Sequence, residues 1–180
     1  DAALELLVPQ PGETVLDLYS GVGVFTAALA EAVGPTGRVL AVESDAEATV
    51  HAKANCAAYQ GVAVVRARVD DFLGVARPKR RGPGGQRLRK LPARHPLAPP
   101  RADRILLDPP RTGAGQLVVT ALTALEPKAI VYVACDPAAL ARDTAYLGER
   151  GYDLVTLRAF DAFPMTHHVE CVALFMPPPA

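Results

Sequence analysis

The sequence has few cysteines, no long apolar segment and no net charge. Its three cysteines, Cys56, Cys135 and Cys171, show neither CxxC nor metal-ligand spacing, and their odd number argues against a disulfide framework. Half of the residues are hydrophobic, yet no uninterrupted apolar stretch approaches the roughly 20 residues that a membrane-spanning helix needs. We therefore expect reduced thiols, no bound metal, no membrane association and a cytoplasmic location.

The amino-terminal residues lack the basic region and the cleavage pattern of a signal peptide. The chain also begins with Asp rather than Met, so we expect it to be a piece of a longer protein. A length of 180 residues suits one domain with a sizeable core. We predict a single domain over residues 1–180.

The zero net charge hides one strongly basic segment. Residues 77–104 contain ten of the nineteen Lys and Arg residues and a single acidic residue, Asp103. The segment is rich in Pro and Gly, so we expect a flexible insertion at about 77–102. It is either a solvated linker or an arm that attracts the phosphates of a nucleic acid. No aromatic residue is interleaved, so such an arm would position a nucleic acid without reading its bases.

Strand and helix patterns alternate along the chain. Apolar, β-branched runs predict strands, and Ala-rich or amphipathic runs predict helices between them. The predicted strands are 14–20, 37–44, 62–69, 103–110, 128–135, 152–160 and 168–176, and the predicted helices are 24–33, 45–60, 116–125 and 136–151. This alternation predicts an α/β fold with a mostly parallel sheet, closed by one antiparallel hairpin.

The first two strands end in a pattern typical of a nucleoside site. "DLYSGVGVFT" places Gly21 and Gly23 in a tight turn, and both are candidate cofactor-binding residues. Glu43 ends the second strand about 20 residues later, where a carboxylate can bind ribose hydroxyls. Asp17 adds a negative charge that a pyrophosphate would disfavour and a sulfonium would favour. The pattern therefore favours S-adenosylmethionine over a dinucleotide.

A third motif, "LLDPPRTGAG", follows the fourth strand. The apolar run brings Asp108 to the exposed tip of that strand, and two prolines keep the next turn stiff. Adenine-N6 and cytosine-N4 methylases have a related tetrapeptide with an aromatic after the prolines. Arg111 occupies that place here, which argues against methylation of an amino group.

Cys135 and Glu170 are the candidate catalytic residues. Cys135 lies between a predicted strand and a helix, with Asp136 as N-cap and Pro137 at the first helical position. A helix N-terminus favours a thiolate, although most cysteines are simply packed, as we expect for Cys56 and Cys171. Glu170 is a carboxylate in an apolar strand, so it is either functional or on a solvent-facing edge.

Five segments together resemble the RNA (uracil-5-)-methyltransferases. They are "DLYSGVG", "VES", "LLDPPRTG", "YVACDPAALARD" and "HHVECVALF", in that order. The resemblance implies a class I, Rossmann-like fold with a seven-stranded sheet, and S-adenosylmethionine bound by Tyr19, Glu43 and Asp108. It also implies Cys135 as the nucleophile that adds to C6 of a uridine, and Glu170 as the base that removes the C5 proton. The expected partner is rRNA or tRNA, and the expected state is a monomer.

Two substitutions depart from the family pattern. Val24 stands where many members have Asn, and Asp136 stands where many have Asn after the cysteine. Many members also carry an amino-terminal RNA-binding domain, and we expect that of the full-length protein to be missing from this sequence. A small-molecule methyltransferase and a non-catalytic RNA-binding module remain alternatives. The sequence assigns no role to Asp70, His167 or His168.

Overall fold

A computed structural model describes residues 2–75, 93–161 and 169–179. Helices and strands alternate over most of this length, as the sequence pattern predicts. The elements are α1 (Ala2–Leu7), β1 (Thr14–Leu18), α2 (Val24–Val33), β2 (Arg38–Glu43), α3 (Ala46–Asn55), β3 (Val62–Arg66), α4 (Val69–Phe72), β4 (Arg104–Leu107), α5 (Gln116–Thr123), β5 (Ala129–Ala134), α6 (Pro137–Gly148), β6 (Asp153–Phe160) and β7 (Glu170–Met176).

The strands form one seven-stranded sheet in the order β3-β2-β1-β4-β5-β7-β6. Strands β1 to β5 pair in parallel, whereas β7 runs antiparallel to both β5 and β6. The predicted α/β class, the mostly parallel sheet and the final antiparallel hairpin are therefore confirmed. The chain runs outward from β1 to β3 and then returns to place β4 on the other side of β1. This reversal creates a switch point between the carboxyl ends of β1 and β4, where ligands of open α/β sheets bind.

Each face of the sheet has its own apolar core. One core joins alternate strand residues to Phe72 of α4, Leu122 of α5 and Leu147 of α6. The opposite core joins the intervening strand residues to Leu7 of α1 and Leu29 of α2. Because the central strands are covered on both faces, they consist of nearly continuous apolar residues.

Several boundaries differ from the sequence prediction. The short helix α1 was not predicted, although its buried Leu7 packs in the core beside the central strands. The third strand ends at Arg66 rather than Val69, because Val69 begins α4, where Asp70 and Asp71 lie in the first helical turn. Most of the basic insertion, as well as His167 and His168, lies outside the described residues.

An ion network joins the amino ends of the central strands. Arg104 donates a hydrogen bond from Nε to Oε2 of Glu13 at 2.6 Å, and Lys128 lies 3.3 Å from the other oxygen of Glu13. Lys128 also contacts Asp103 at 2.8 Å, and Asp103 accepts a hydrogen bond from the backbone of Thr14. These contacts lie at the end of the sheet opposite the switch point and therefore serve the fold.

Candidate active site

A cavity of about 500 Å³ opens at the switch point of the sheet. Its size falls in the range of ordinary ligand pockets. Three carboxylates and one phenol line it, together with apolar and backbone atoms of the neighbouring turns. The lining residues are Tyr19, Val42, Glu43, Ser44, Ala67, Arg68, Val69, Asp70, Asp108, Pro110, Thr112, Gly113, Ala114 and Val118.

The turn after β1 has a strained backbone at Tyr19 and free space beside the backbone at Gly21. Tyr19 has φ of 63°, a left-handed conformation that is uncommon for a non-glycine residue and is often found at functional sites. Burial, followed by the negative charge of Asp70, raises the pKa of Tyr19 to about 12, so its hydroxyl stays protonated. A Cβ on Gly21 would meet no atom within 4 Å, so the backbone there has free space beside it.

Gly23 has a different environment from Gly21. It has φ of 85° and forms the N-cap of α2. A Cβ there would lie 3.2 Å from Ala52 and 3.3 Å from the sulfur of Cys56. Neither glycine lines the cavity. The second glycine therefore allows the start of α2 to pack closely against α3.

Glu43 is held in place by backbone amides. Its Oε2 accepts from the N–H of Gly21 at 3.0 Å, and its Oε1 accepts from the N–H groups of Ser44 and Asp45 at 2.6 and 2.7 Å. An ionised carboxylate offers about four acceptor positions. At least one position on Oε2 therefore remains for a ligand hydroxyl, and the carboxylate is fixed at the end of β2 before any ligand binds.

Asp17 lies beneath the cavity and not in its wall. It is 0% exposed, and Oδ2 accepts a hydrogen bond from the hydroxyl of Thr26 at 2.5 Å. Its Oδ1 and the hydroxyl of Ser20 are buried without a hydrogen-bond partner. Burial, with the charges of Asp108 and Glu43 adding to it, raises the pKa of Asp17 to about 7. Asp17 is therefore a buried acid whose protonation is coupled to the charges of two cavity residues, Glu43 and Asp108.

Asp108 follows β4 directly, as the apolar run predicts. Its side chain is exposed to the cavity. Surrounding protein atoms nevertheless remove part of its hydration, and the nearby charge of Glu170 adds to this effect, so the pKa of Asp108 is raised to about 6. Glu170 is therefore close enough to Asp108 for the two charges to interact.

Cys135 connects β5 to α6 and is partly exposed. Asp136 is the N-cap of α6 and Pro137 its first residue, as predicted. Oδ1 of Asp136 accepts from the backbone N–H of Ala139 at 2.8 Å. The carboxylate of Asp136 is thus bound to the first turn of the helix, whose positive end lies beside the thiol.

The strand register brings Glu170 next to Cys135. Strands β5 and β7 pair Val133 with Val172 and Ala134 with Cys171. Continued by one residue, this antiparallel register places Cys135 opposite Glu170, and Cα atoms of such pairs lie about 5 Å apart. Glu170 is half-buried. The two candidate catalytic residues, which are 35 positions apart in the sequence, thus each adjoin the last residue pair of the β5–β7 ladder, at the same end of these strands.

The remaining candidates divide between packing and the cavity. Cys56 and Cys171 are buried, as the packing interpretation predicts. Asp70 lines the cavity at the start of α4, although the sequence assigned it no role. The sequence feature that could have identified Asp70 is a carboxylate directly after the predicted third strand, at the same edge of the sheet as Glu43 and Asp108.

The described residues form neither a metal site nor a membrane-spanning helix. No group of three or more His, Cys, Asp and Glu side chains among them has an arrangement that could hold a metal ion. Every helix within the described ranges is too short or too polar to span a lipid bilayer.

Comparison with known proteins gives matches along nearly the whole chain. Residues 2–177 match the model of a family described as tRNA (Uracil-5-)-methyltransferase. An uncharacterised RNA methyltransferase of Streptomyces avermitilis is 44% identical over 179 residues, covering 98% of this chain and 36% of the relative. The 23S rRNA (uracil(1939)-C(5))-methyltransferase RlmD of Shewanella sp. (strain ANA-3) is 37% identical, covering 96% of this chain and 34% of the relative. The chain thus spans about a third of the length of these relatives.

Solved structures agree with the sequence matches. The tRNA (uracil-54, C5)-methyltransferase of Pyrococcus abyssi, solved with S-adenosyl-L-homocysteine, is 28% identical with a TM-score of 0.66, covering 97% of this chain and 37% of that one. An O-methyltransferase of Thermotoga maritima is 15% identical with a TM-score of 0.66, covering 98% of this chain and 63% of that one. The second likeness shows the fold alone, which is the Rossmann-like fold of S-adenosylmethionine-dependent methyltransferases.

Proposed function

The chain belongs to the tRNA (uracil-5-)-methyltransferase family, and on that premise we propose that it is the catalytic part of an RNA-modifying enzyme. The reaction would transfer a methyl group from S-adenosylmethionine to C5 of a uridine in rRNA or tRNA. Cys135 would form a transient bond to C6, and Glu170 would remove the C5 proton.

The cavity at the switch point has the chemistry that this methyl donor requires. Asp17, Glu43 and Asp108 concentrate acidic groups there, and the charges of Asp108 and Glu43 add to the burial that raises the pKa of Asp17. A bound cation would relieve this repulsion, whereas a pyrophosphate would increase it. Bound S-adenosylmethionine supplies an electrophilic methyl group on a sulfonium. Glu43 would bind its ribose hydroxyls, and Tyr19 and Asp108 would hold the rest of it.

Cys135 would activate the uracil ring. C5 of uracil is a weak nucleophile, but addition of a thiolate to C6 gives an enolate whose C5 carries negative charge. The N-terminus of α6 lies beside Cys135, and the positive end of a helix stabilises a negative charge that develops next to it. The Asp136 carboxylate accepts a hydrogen bond from the helix, which offsets part of the repulsion that its charge would exert on a thiolate.

Glu170 would complete the reaction after C5 carries the new methyl group. Its carboxylate would take the C5 proton, the electrons of the C5–H bond would restore the C5–C6 double bond, and the C6–S bond would break. The thiolate of Cys135 would leave unchanged. A general base must lie within hydrogen-bond reach of the proton that it removes. The proximity of Glu170 to Cys135 across the β5–β7 register supports this role.

The observation that carries the proposal is this meeting of one thiol and one carboxylate beside an acidic cavity. A small-molecule methyltransferase would need the cavity but neither Cys135 nor Glu170. A non-catalytic RNA-binding module would need none of the three. We find no feature of the described residues that specifically favours either alternative.

Stalled intermediates test the two catalytic roles separately. In the full-length protein, Glu170→Gln should still add to C6 and accept the methyl group, and should then accumulate protein joined to methylated RNA. The measurement is a denaturing gel with labelled RNA from cells that lack the gene, using methyl-labelled cofactor as a second label. Cys135→Ala should form no adduct and transfer no methyl group.

Two controls complete this experiment. The double variant Glu170→Gln with Cys135→Ala should lose the shifted band, because the bond to RNA requires the sulfur of Cys135. Cys171→Ala should behave like the unchanged protein, since Cys171 is buried on the neighbouring strand. Full turnover by Cys135→Ala would contradict the proposed mechanism.

A further inference from the structure

The loop that follows β4 lies close beside Cys135, across a narrow cleft with no room for a water molecule. Pro109, Pro110 and Arg111 line the loop side of this cleft, and Cys135 and Asp136 line the other side. The loop carries no strand or helix over residues 109–115. Its position must therefore be set by contacts with the elements beneath it.

One buried carboxylate supplies most of these contacts. Asp143 on α6 is 0% exposed. Its Oδ2 accepts hydrogen bonds from the backbone N–H groups of Ala114 at 2.7 Å and Gly115 at 3.1 Å, and from the hydroxyl of Tyr132 at 2.7 Å. Its Oδ1 accepts from the guanidinium of Arg142 at 2.7 and 3.0 Å. A buried charge with this many donors is strongly held.

Two neighbouring groups extend the attachment. The hydroxyl of Tyr132 on β5 also accepts from the N–H of Ala114 at 3.1 Å, and Arg142 donates to the carbonyl of Thr112 at 2.8 Å. Gly113 lies so close that a Cβ would be 2.6 Å from Asp143 and 2.5 Å from Arg142. Residues 112–115 are thus bound to β5 and α6, which are the two elements that Cys135 connects.

We propose that Asp143 is a positioning residue, which holds the loop 109–115 at a fixed distance from Cys135 and so sets the direction from which the uracil ring can approach the thiol. This inference rests on the proposed function. Asp143 does not line the cleft, and it acts through the loop. A misplaced loop would misalign the ring with the thiol, and small misalignments lower reaction rates strongly. Because Pro110, Thr112 and Gly113 of the loop also line the cofactor cavity, the same displacement would weaken the binding of S-adenosylmethionine.

Matched tyrosines provide the central comparison. Tyr132→Phe removes the hydroxyl that links Asp143 to the loop. Tyr152→Phe is the control, because the buried Tyr152 hydroxyl donates to the carbonyl of Pro127 at 2.9 Å, outside the cleft. Asp143→Asn is the third variant. Both oxygens of Asp143 accept hydrogen bonds, and the amide nitrogen of Asn cannot accept those made to the oxygen that it replaces. All three are made in the full-length protein.

Two measurements are made on each variant. The first is steady-state transfer of labelled methyl groups to total RNA from cells that lack the gene, analysed for kcat and KM. The second is the rate at which iodoacetamide alkylates Cys135, followed by mass spectrometry of the peptide that contains it. The alkylation rate depends on the position of the loop and needs no methyl transfer.

At saturating cofactor, we expect kcat to fall about tenfold for Tyr132→Phe and by about 10- to 100-fold for Asp143→Asn. Alkylation of Cys135 should be several-fold faster in both, because a displaced loop uncovers the thiol. Tyr152→Phe should match the unchanged protein in both measurements. Equal effects in Tyr152→Phe, or unchanged kcat and alkylation in the other two variants, would overturn the proposal.

A pair of glycine variants tests the loop directly. Gly113→Ala and Gly151→Ala each place a side chain at a left-handed φ, 74° and 77°, but only Gly113 has atoms within 4 Å of the added Cβ. Gly113→Ala should therefore reproduce the Asp143→Asn alkylation rate, and Gly151→Ala should not. If Cys135→Ala remained active, the proposed function would fail, while the alkylation rates would still decide whether Asp143 positions the loop.

Discussion

Asp17→Asn is a nearly isosteric change with a large expected effect on pH dependence. The variant keeps the hydrogen bond from Thr26, because the amide oxygen accepts as the carboxylate did. The amide nitrogen takes the place of Oδ1, which has no partner in the native protein. The change therefore removes a buried charge and loses no hydrogen bond.

The magnitude follows from the pKa of Asp17, which burial raises from 3.8 to about 7. A folded-state pKa above the unfolded value means that the folded state holds the proton more tightly. The free energy of unfolding therefore decreases as the pH rises from about 4 to 7, and the full cost of about 4 kcal/mol is present above pH 7. As the pH rises from 5 to 8, the free energy of unfolding of Asp17→Asn should therefore increase by roughly 2–3 kcal/mol relative to that of the unchanged chain.

Urea denaturation followed by far-ultraviolet circular dichroism at pH 5, 6, 7 and 8 measures this difference. Other acids with raised pKa values, such as Asp108, titrate in both proteins, so the difference between the two curves reports Asp17 together with its coupling to Asp108 and Glu43. Parallel curves over this pH range would show that Asp17 does not titrate near pH 7 and would refute the reasoning.

The same charge should affect the cofactor. Asp17→Asn should weaken binding of S-adenosylmethionine more than binding of S-adenosylhomocysteine, since only the former carries a sulfonium. Isothermal titration calorimetry at pH 8 compares the two ligands. An equal loss of affinity for both ligands would show that the charge of Asp17 does not act on the sulfonium and that Asp17 serves only the fold.

Three further changes test the cofactor site, the ion network and the basic segment. Glu43→Gln should weaken S-adenosylmethionine binding by about 1–3 kcal/mol, because the ribose loses a charged acceptor; an unchanged Kd would contradict the ribose assignment. Although burial opposes it, hydrogen bonds from Arg104 and Gln10 lower the pKa of Glu13. Glu13→Gln should therefore reduce the free energy of unfolding by about 1–3 kcal/mol at neutral pH, and this difference should fade as the pH falls below about 4; a constant difference would contradict the lowered pKa. Deleting residues 77–102 should lower RNA affinity and flatten its dependence on salt without changing cofactor binding, and an identical salt slope would identify a passive linker.

The architecture was largely predictable from the sequence, because apolar strand patterns and helix signals are local. The alternation predicts a parallel sheet with helices on both faces, and Asp136 with Pro137 predicts the start of α6, all as observed. The missed elements are short. Helix α1 has only six residues and α4 only four, so each depends on packing against the sheet and not on its own propensity.

The functional motifs were also visible, but their environments were not. The sequence placed Asp108 and Cys135 at the carboxyl ends of β4 and β5, because a parallel sheet brings those ends to one edge. It placed the charge of Asp17 at the end of the first strand, but only the structure shows that Asp17 is completely buried. It treated Gly21 and Gly23 alike, whereas Gly23 packs against α3. Burial depends on what the rest of the chain places above a residue, which no local pattern records.

The sequence by itself determined which elements form and which residues stand at their ends, since strand propensity, capping and turn chemistry act over a few residues. Only the tertiary structure decided which of those ends meet. The β5–β7 register brings Glu170 to Cys135, and the fold buries Asp143 beneath a loop whose nearest residue is 28 positions away. Both juxtapositions arise from pairing and packing between distant segments, where the long-range contacts, and not the local preferences, set the geometry.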